Sequence, residues 1–209
     1  MKKAILIHGW GDKNEFYSHE IPTASNSHWF PWLSKQLMIR DIHTVAIEIP
    51  NSFYPEYDVW KRELERFEID EDTVLIGHSC GGGFLLRWLS ENNVKVGKVV
   101  LVAPWLGIMR AGAEAWKDPF DETFFQFEFD MGLVSKTAGV VLFESMDDGG
   151  QIKESVEIIK REVDSLKVVT FEDKGHFTLR DMGTVEFPEL LEEVVGRGLR
   201  KCLKAYARL

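Results

Sequence analysis

Two stretches far apart in the chain hold the side chains that could do chemistry. Gly77-His78-Ser79-Cys80-Gly81 encloses a serine between glycines, and Asp173-Lys174-Gly175-His176-Phe177 carries the one histidine that follows it. A serine hydroxyl attacks a carbonyl only when a neighbouring base takes its proton, and histidine titrates close to neutrality, so the pair is suited to acyl transfer. The pattern G-x-S-x-G has this meaning when a strand precedes it and a helix follows. Thr73–Ile76 reads as a short β-rich apolar run, while Leu85, Leu86, Trp88 and Leu89 form the apolar side of a helix.

The glycines have a steric reason. A sharp strand-to-helix turn crowds the residues two before and two after the serine, where side chains would collide. It also holds the serine in a sparsely populated backbone conformation, at a cost of about 1–3 kcal/mol. A dinucleotide loop of the G-x-G-x-x-G type would need glycine at position 79, where serine stands.

In this strand–turn–helix arrangement the acid and then the base follow the nucleophile along the chain. His8, His19, His28, His43 and His78 precede or adjoin Ser79 on its N-terminal side, which leaves His176 as the base, directly after the apolar run Lys167–Phe171. The acid is expected after the preceding run, Gly139–Phe143, where Asp147 and Asp148 share one turn. Asp148 is taken as the carboxylate that accepts the His176 Nδ1 proton. Asp147 stays open as the alternative, with a role capping the helix near Ile152 or standing in solvent otherwise, and Glu144 is a third choice.

An oxyanion needs N–H donors. Cys80, at the start of the helix, offers its backbone N–H, so its thiol need not react; Trp10, in the loop His8-Gly9-Trp10-Gly11 after the first apolar run, offers the second. His8 itself is read as a strand-end residue bonding backbone.

The elements that must position these groups alternate. Apolar runs at Ala4–Ile7, Thr44–Ile49, Thr73–Ile76, Lys98–Val102, Gly139–Phe143 and Lys167–Phe171 are separated mostly by helical spacings. Trp29, Trp32, Leu33 and Leu37 make one such stripe; Ile152, Val156, Ile159 and Val163 another. Phe187, Leu190, Leu191, Val194, Val195, Leu199 and Cys202 make a last one, opened by Pro188 and weakened by Gly196 and Gly198. The fold class is therefore α/β: a mostly parallel sheet of about six strands with helices on both faces. The whole of 1–209 is read as a single domain. Residues 105–138 interrupt the alternation with an aromatic-rich insert, a candidate lid or an ordinary excursion, whose aromatic side chains either wall an apolar acyl pocket or pack in the core. Within it Phe125, Phe127 and Phe129 alternate with Gln126 and Glu128, which fits a half-buried strand equally well.

A formal charge of −9, from 25 basic and 34 acidic residues, argues against nucleic acid or an anionic membrane surface as a partner. No apolar run approaches the ~18 residues of a membrane span, and Ala4–Ile7 is too short for a secretory signal. Cys80 and Cys202, with no CxxC pair, suggest neither a disulfide framework nor a zinc site, so a cytoplasmic protein without metal or cofactor is expected. The sequence carries no signal of an oligomeric state.

These residues together resemble the α/β-hydrolases, specifically the small, minimal-cap serine hydrolases of the retinoblastoma-binding protein 9 and YdeN type. The likeness spans nearly the whole chain. It is carried by Gly77-His78-Ser79-Cys80-Gly81, His28-Trp29-Phe30-Pro31-Trp32-Leu33, Ile49-Pro50-Asn51 with Trp60 downstream, Asp147-Asp148, and Gly175-His176-Phe177. The resemblance implies Ser79, Asp148 and His176 as the triad, with the second aspartate of the pair as the acid. It departs at Gly149-Gly150, where relatives often place proline, and in the size and aromaticity of the 105–138 insert. It brings no retinoblastoma protein as a partner. The expected activity is hydrolysis of a small ester, amide or thioester through an acyl-enzyme. The alternatives are a binding or scaffold protein on the same fold, or acyl transfer to an acceptor other than water.

Overall fold

A computed structural model describes residues 2–107 and 121–196. Its centre is a six-stranded sheet of β1 (Lys3–Ile7), β2 (His43–Ile47), β3 (Thr73–His78), β4 (Lys98–Val102), β5 (Val140–Ser145) and β6 (Lys167–Phe171), ordered β2-β1-β3-β4-β5-β6 with every neighbouring pair parallel. The central strands read as unbroken apolar runs because both of their faces are covered. Alternate residues divide between two cores. Ile5, Ile7, Leu75, Leu101 and Leu142 pack with Trp60, Phe84, Leu85, Val156 and Ile159, so α3 (Tyr57–Leu64), α4 (Cys80–Glu91) and α5 (Gly150–Glu162) cover one face. Ala4, Leu6, Val74, Ile76, Val141 and Phe143 pack with Trp29, Phe30, Leu33, Leu37, Leu190 and Val194, so α2 (Phe30–Met38) and α7 (Pro188–Val195) cover the other. Two short helices complete the described set, α1 (Lys13–Tyr17) and α6 (Leu179–Met182).

The ends of these elements follow local chemistry. Proline opens both α2 and α7, where a missing N–H costs nothing. Gly196, at φ +78°, ends α7, so the expected stripe stops at Val195, and Leu199 and Cys202 lie outside the described residues. Glu193 ties α7 to the sheet through Lys98, at 2.9 Å, and through Lys167.

The aromatic insert departs from its strand expectation. Glu122–Phe125 forms a 3-10 turn capped by the Asp121 side chain, and irregular chain follows through Phe127 and Phe129. An anchor from α4 explains this. Arg87 donates to the Thr123 and Phe124 carbonyls at 2.6 and 2.9 Å while its guanidinium stacks 3.5 Å from the Tyr57 ring centroid. Phe124 is thereby driven fully into the core against Trp60, Tyr57 and Phe84. Trp116 and Phe120, aromatic residues of the same insert, lie outside the described residues.

Candidate active site

From β1 the chain runs outward to β2, then crosses back over β1 to β3 and continues to β6. The connections therefore diverge at the carboxyl ends of β1 and β3, which leaves a crevice there. Ser79 stands at that point, between β3 and α4, with φ 53° and ψ −122°. An L-residue keeps such a conformation only when its surroundings over-determine it. Here the Ser79 N–H donates to Val102 O at 2.9 Å, and the Ser79 carbonyl accepts from Gly82 at 2.9 Å and Trp105 at 3.0 Å.

The crowding expected around the serine is severe. A Cβ at Gly77 would come 2.5 Å from Gly81 O, and one at Gly81 would come 2.5 Å from the Ile7 and His8 carbonyls. Gly83 is tighter still, at 2.0 Å from Trp105 O. Three of the four glycines of this segment thus let backbone meet backbone, and Gly82, 2.8 Å from Pro104 Cβ, admits a side chain.

His176 and Asp148 arrive from the ends of β6 and β5. His176 Nε2 lies 2.9 Å from Ser79 Oγ, and its Nδ1 lies 3.1 Å from Asp148 Oδ2. With Nδ1 carrying the hydrogen toward the carboxylate, Nε2 is left as acceptor for the serine hydroxyl. Asp148 is 8% exposed, and its Oδ1 accepts the Gly149 N–H at 2.6 Å.

Asp147 neither caps α5 nor stands idle in solvent. The cap position of α5 is Gly149, which makes no side-chain cap. Asp147 Oδ1 instead accepts the Ser145 hydroxyl at 2.6 Å and the Gly175 N–H at 2.8 Å, and these hydrogen bonds hold its carboxyl below the usual range. Glu144 faces away from the site, paired with Lys160 at 2.8 Å and accepting from Thr170.

Several residues that carry no assigned site role in the sequence fasten the His176 segment. Ser145 Oγ accepts the Lys174 N–H at 2.8 Å, and Asp181 Oδ2 accepts the His176 N–H at 3.0 Å. Asp181 belongs to a capping box with Thr178, the T-x-x-D spacing that could have marked it. Buried His78 donates from Nε2 to the His176 carbonyl at 2.8 Å, and burial keeps it neutral by pushing its pKa well down. His28, at φ 57°, accepts the Leu179 N–H on Nδ1 at 3.1 Å; burial first, and the nearby His176 second, lower its pKa.

On the opposite side, His8 bonds backbone as expected of it. Its Nδ1–H donates to Gly9 O at 2.7 Å and its Nε2 accepts the Ile49 N–H at 3.0 Å, and burial lowers its pKa. Trp10 is pinned by its indole N–H to Phe53 O at 2.8 Å. Burial raises the Cys80 thiol well above its ordinary value, which leaves the sulfur unreactive.

A cavity of about 480 Å³ opens at Ser79 and His176. Its walls come from the segment 9–28, the end of β2 and His78, and none of the described residues of the 105–138 insert lines it. Leu106, Phe125 and Phe127 pack on the core, and of the two readings of this segment that is core packing and not an acyl wall. No group of histidine, cysteine and carboxylate side chains suited to a metal occurs among the described residues, nor does a helix long and apolar enough to cross a membrane.

An all-parallel sheet with a serine on a strained turn after its third strand defines an α/β-hydrolase, and comparison with known proteins narrows the class. Residues 4–194 match the serine hydrolase family, and the chain belongs to it. It is 27% identical over 169 residues to the serine hydrolase RBBP9 of Rattus norvegicus, covering 79% of this chain and 84% of that protein. To YdeN of Bacillus subtilis it is 30% identical over 95 residues, 44% of this chain and half the length of YdeN. The crystal structure of YdeN superposes with a TM-score of 0.75 at 22% identity over 93% of this chain and 97% of that one. Est1E of Butyrivibrio proteoclasticus, solved with ferulic acid bound, superposes with 0.64 at 14% identity over 93% and 88%.

Proposed function

We propose that the protein hydrolyses a small carboxylic ester through a Ser79–His176–Asp148 triad and a covalent acyl-enzyme, in the manner of a carboxylesterase. The observation that carries this reading is the continuous chain of Ser79 Oγ, His176 and Asp148, linked at 2.9 and 3.1 Å. Ser79 Oγ attacks the carbonyl carbon as His176 Nε2 takes its proton; Asp148 holds the Nδ1 tautomer and favours the imidazolium that forms. His176 returns the proton to the leaving oxygen, and water repeats the sequence to release the acid.

The oxyanion is assigned to the N–H groups of Cys80 and Trp10. Cys80 is the first residue of α4, where amides lack partners within the helix. Trp10 lies in the loop that follows β1. Its N–H shares a peptide with the Gly9 carbonyl, which His8 holds at 2.7 Å, and a trans peptide sets the two groups on opposite sides. The Trp10 N–H then faces away from His8.

Neither metal nor cofactor enters this mechanism. The reading includes a single domain over 1–209 and a cytoplasmic setting. Labelling with a fluorophosphonate and turnover of short-chain nitrophenyl esters test it. Ser79→Ala and His176→Ala should both abolish labelling and turnover. Absence of labelling in the unaltered protein would favour a binding or scaffold role on the same fold, and partition of product to added alcohols or amines would favour an acyltransferase.

A further inference from the structure

The cavity beside Ser79 is walled in part by Asp12, Glu15 and Glu48, and neither lysine nor arginine occurs among the described residues that line it. That is an unfavourable sign of charge for a site that forms an oxyanion, unless the substrate supplies a compensating positive charge.

Glu48 is the carboxylate best fixed for such a role. It follows β2, and its Oε2 accepts the Ser25 N–H at 2.9 Å. Its Oε1 lies 3.8 Å from His8 Nε2, but that nitrogen already accepts the Ile49 N–H and has no hydrogen to give. Oε1 therefore has no donor among the described residues, on a side chain 35% exposed in the cavity wall. Asp12, by contrast, is committed to capping α1. Lys13, the cation nearest along that segment, stands 5.7 Å from the Phe53 ring centroid. The Phe16 and Trp10 side chains line the same space and offer aromatic surface to a cation.

We propose that the cavity selects esters that carry an organic ammonium group, with Glu48 as the specificity-determining carboxylate. The proposal rests on the hydrolase reading of Ser79 and adds the chemistry of its substrate. The sheet order sets the scale: Ser79 ends β3, Gly9 and Trp10 follow β1, and Glu48 follows β2. Two strand spacings separate the backbone at the ends of β3 and β2, about 10 Å. A carbonyl carbon at Ser79 and a cation beside Glu48 are then joined by a spacer of only a few bonds, and a fully alkylated ammonium, which has no N–H to donate, is held by charge and aromatic contact. Choline esters and short aminoalkyl esters have a spacer of that length.

Two measurements decide it. At low ionic strength, butyrylcholine should be cleaved with a kcat/KM at least about ten-fold above that of its neutral dimethylbutyl isostere, and added salt should narrow the gap. The ratio should fall below about three-fold in Glu48→Gln and stay in Glu189→Gln, a change on the exposed side of α7. A ratio near one in the unaltered protein, or one that survives Glu48→Gln, overturns the proposal. Calorimetric binding of choline and of neutral dimethylbutanol to Ser79→Ala separates this question from catalysis. Choline binding that depends on Glu48, with neither ester cleaved, would leave the cation site standing and remove the hydrolase reading. Cleavage of both esters at equal rates, with no preference for choline in binding, would do the reverse.

Discussion

At the scale of single residues, adjacent aspartates are given different work by where their oxygens end. Asp148 reaches His176 Nδ1, while Asp147 bonds Ser145 and the Gly175 N–H. Replacing Asp148 with Asn should lower kcat by about 10³–10⁴, because the amide favours the wrong imidazole tautomer. Asp147→Asn should cost only about ten-fold, through a looser His176 segment, and should instead lower the thermal midpoint. Steady-state kinetics and thermal melts on the two variants check this, and equal losses of kcat would defeat the assignment. The pairing was barely legible in the sequence, since both side chains lie in one turn and their directions depend on hydrogen bonds to Ser145 and Gly175 that no local pattern reveals. Ser79 and His176 were legible for the opposite reason. The serine announces itself by the glycines its turn requires, and the histidine by being the one that follows it in the chain.

Among elements, the strand-to-helix turn is the least tolerant. At Gly83 a methyl group would meet Trp105 O at 2.0 Å and Phe125 Cε1 at 2.6 Å, so Gly83→Ala must push α4 off the segment after β4. We expect a loss of about 3 kcal/mol, a fall of about 10 °C in the melting midpoint. Gly149→Ser, where nothing lies within 4 Å of the new Cβ, should be neutral or slightly stabilising by giving α5 a side-chain cap. Melts of both variants test the contrast. The strands were legible because covering both faces makes each a short apolar run with turn residues at its ends, and Lys98–Val102 and Lys167–Phe171 fall where expected. The insert was not. Its alternating phenylalanines imitate a strand, but Arg87 and the buried Phe124 fix a 3-10 turn through contacts across 36 and 37 residues of chain, beyond the reach of any local pattern. Nor did periodicity show that the segment 9–28 would wall the cavity.

Across the whole molecule, buried histidines set the response to acid. His8 and His78 are 2% and 4% exposed, and burial depresses the pKa of both below the ordinary 6.5. The unfolded chain takes up these protons near pH 6.5, whereas the folded chain resists them until a lower pH. Stability is therefore complete above about pH 6.5 and declines as pH falls toward the folded values, by at most about 1.4 kcal/mol per pH unit for each histidine. Melting midpoints should drop between pH 7 and 5, with a shallower slope in His78→Gln; a flat profile would contradict the argument. The topology carries one more consequence. Ser79 and His176 are separated by 97 residues, and His176 is set in place by the ends of strands made last. A chain that has been made only through β4 holds Ser79 but neither Asp148 nor His176. If Ser79 and His176 act together as proposed, reactivity must wait until the sheet closes at β6, and regain of turnover should mark the end of refolding rather than its beginning.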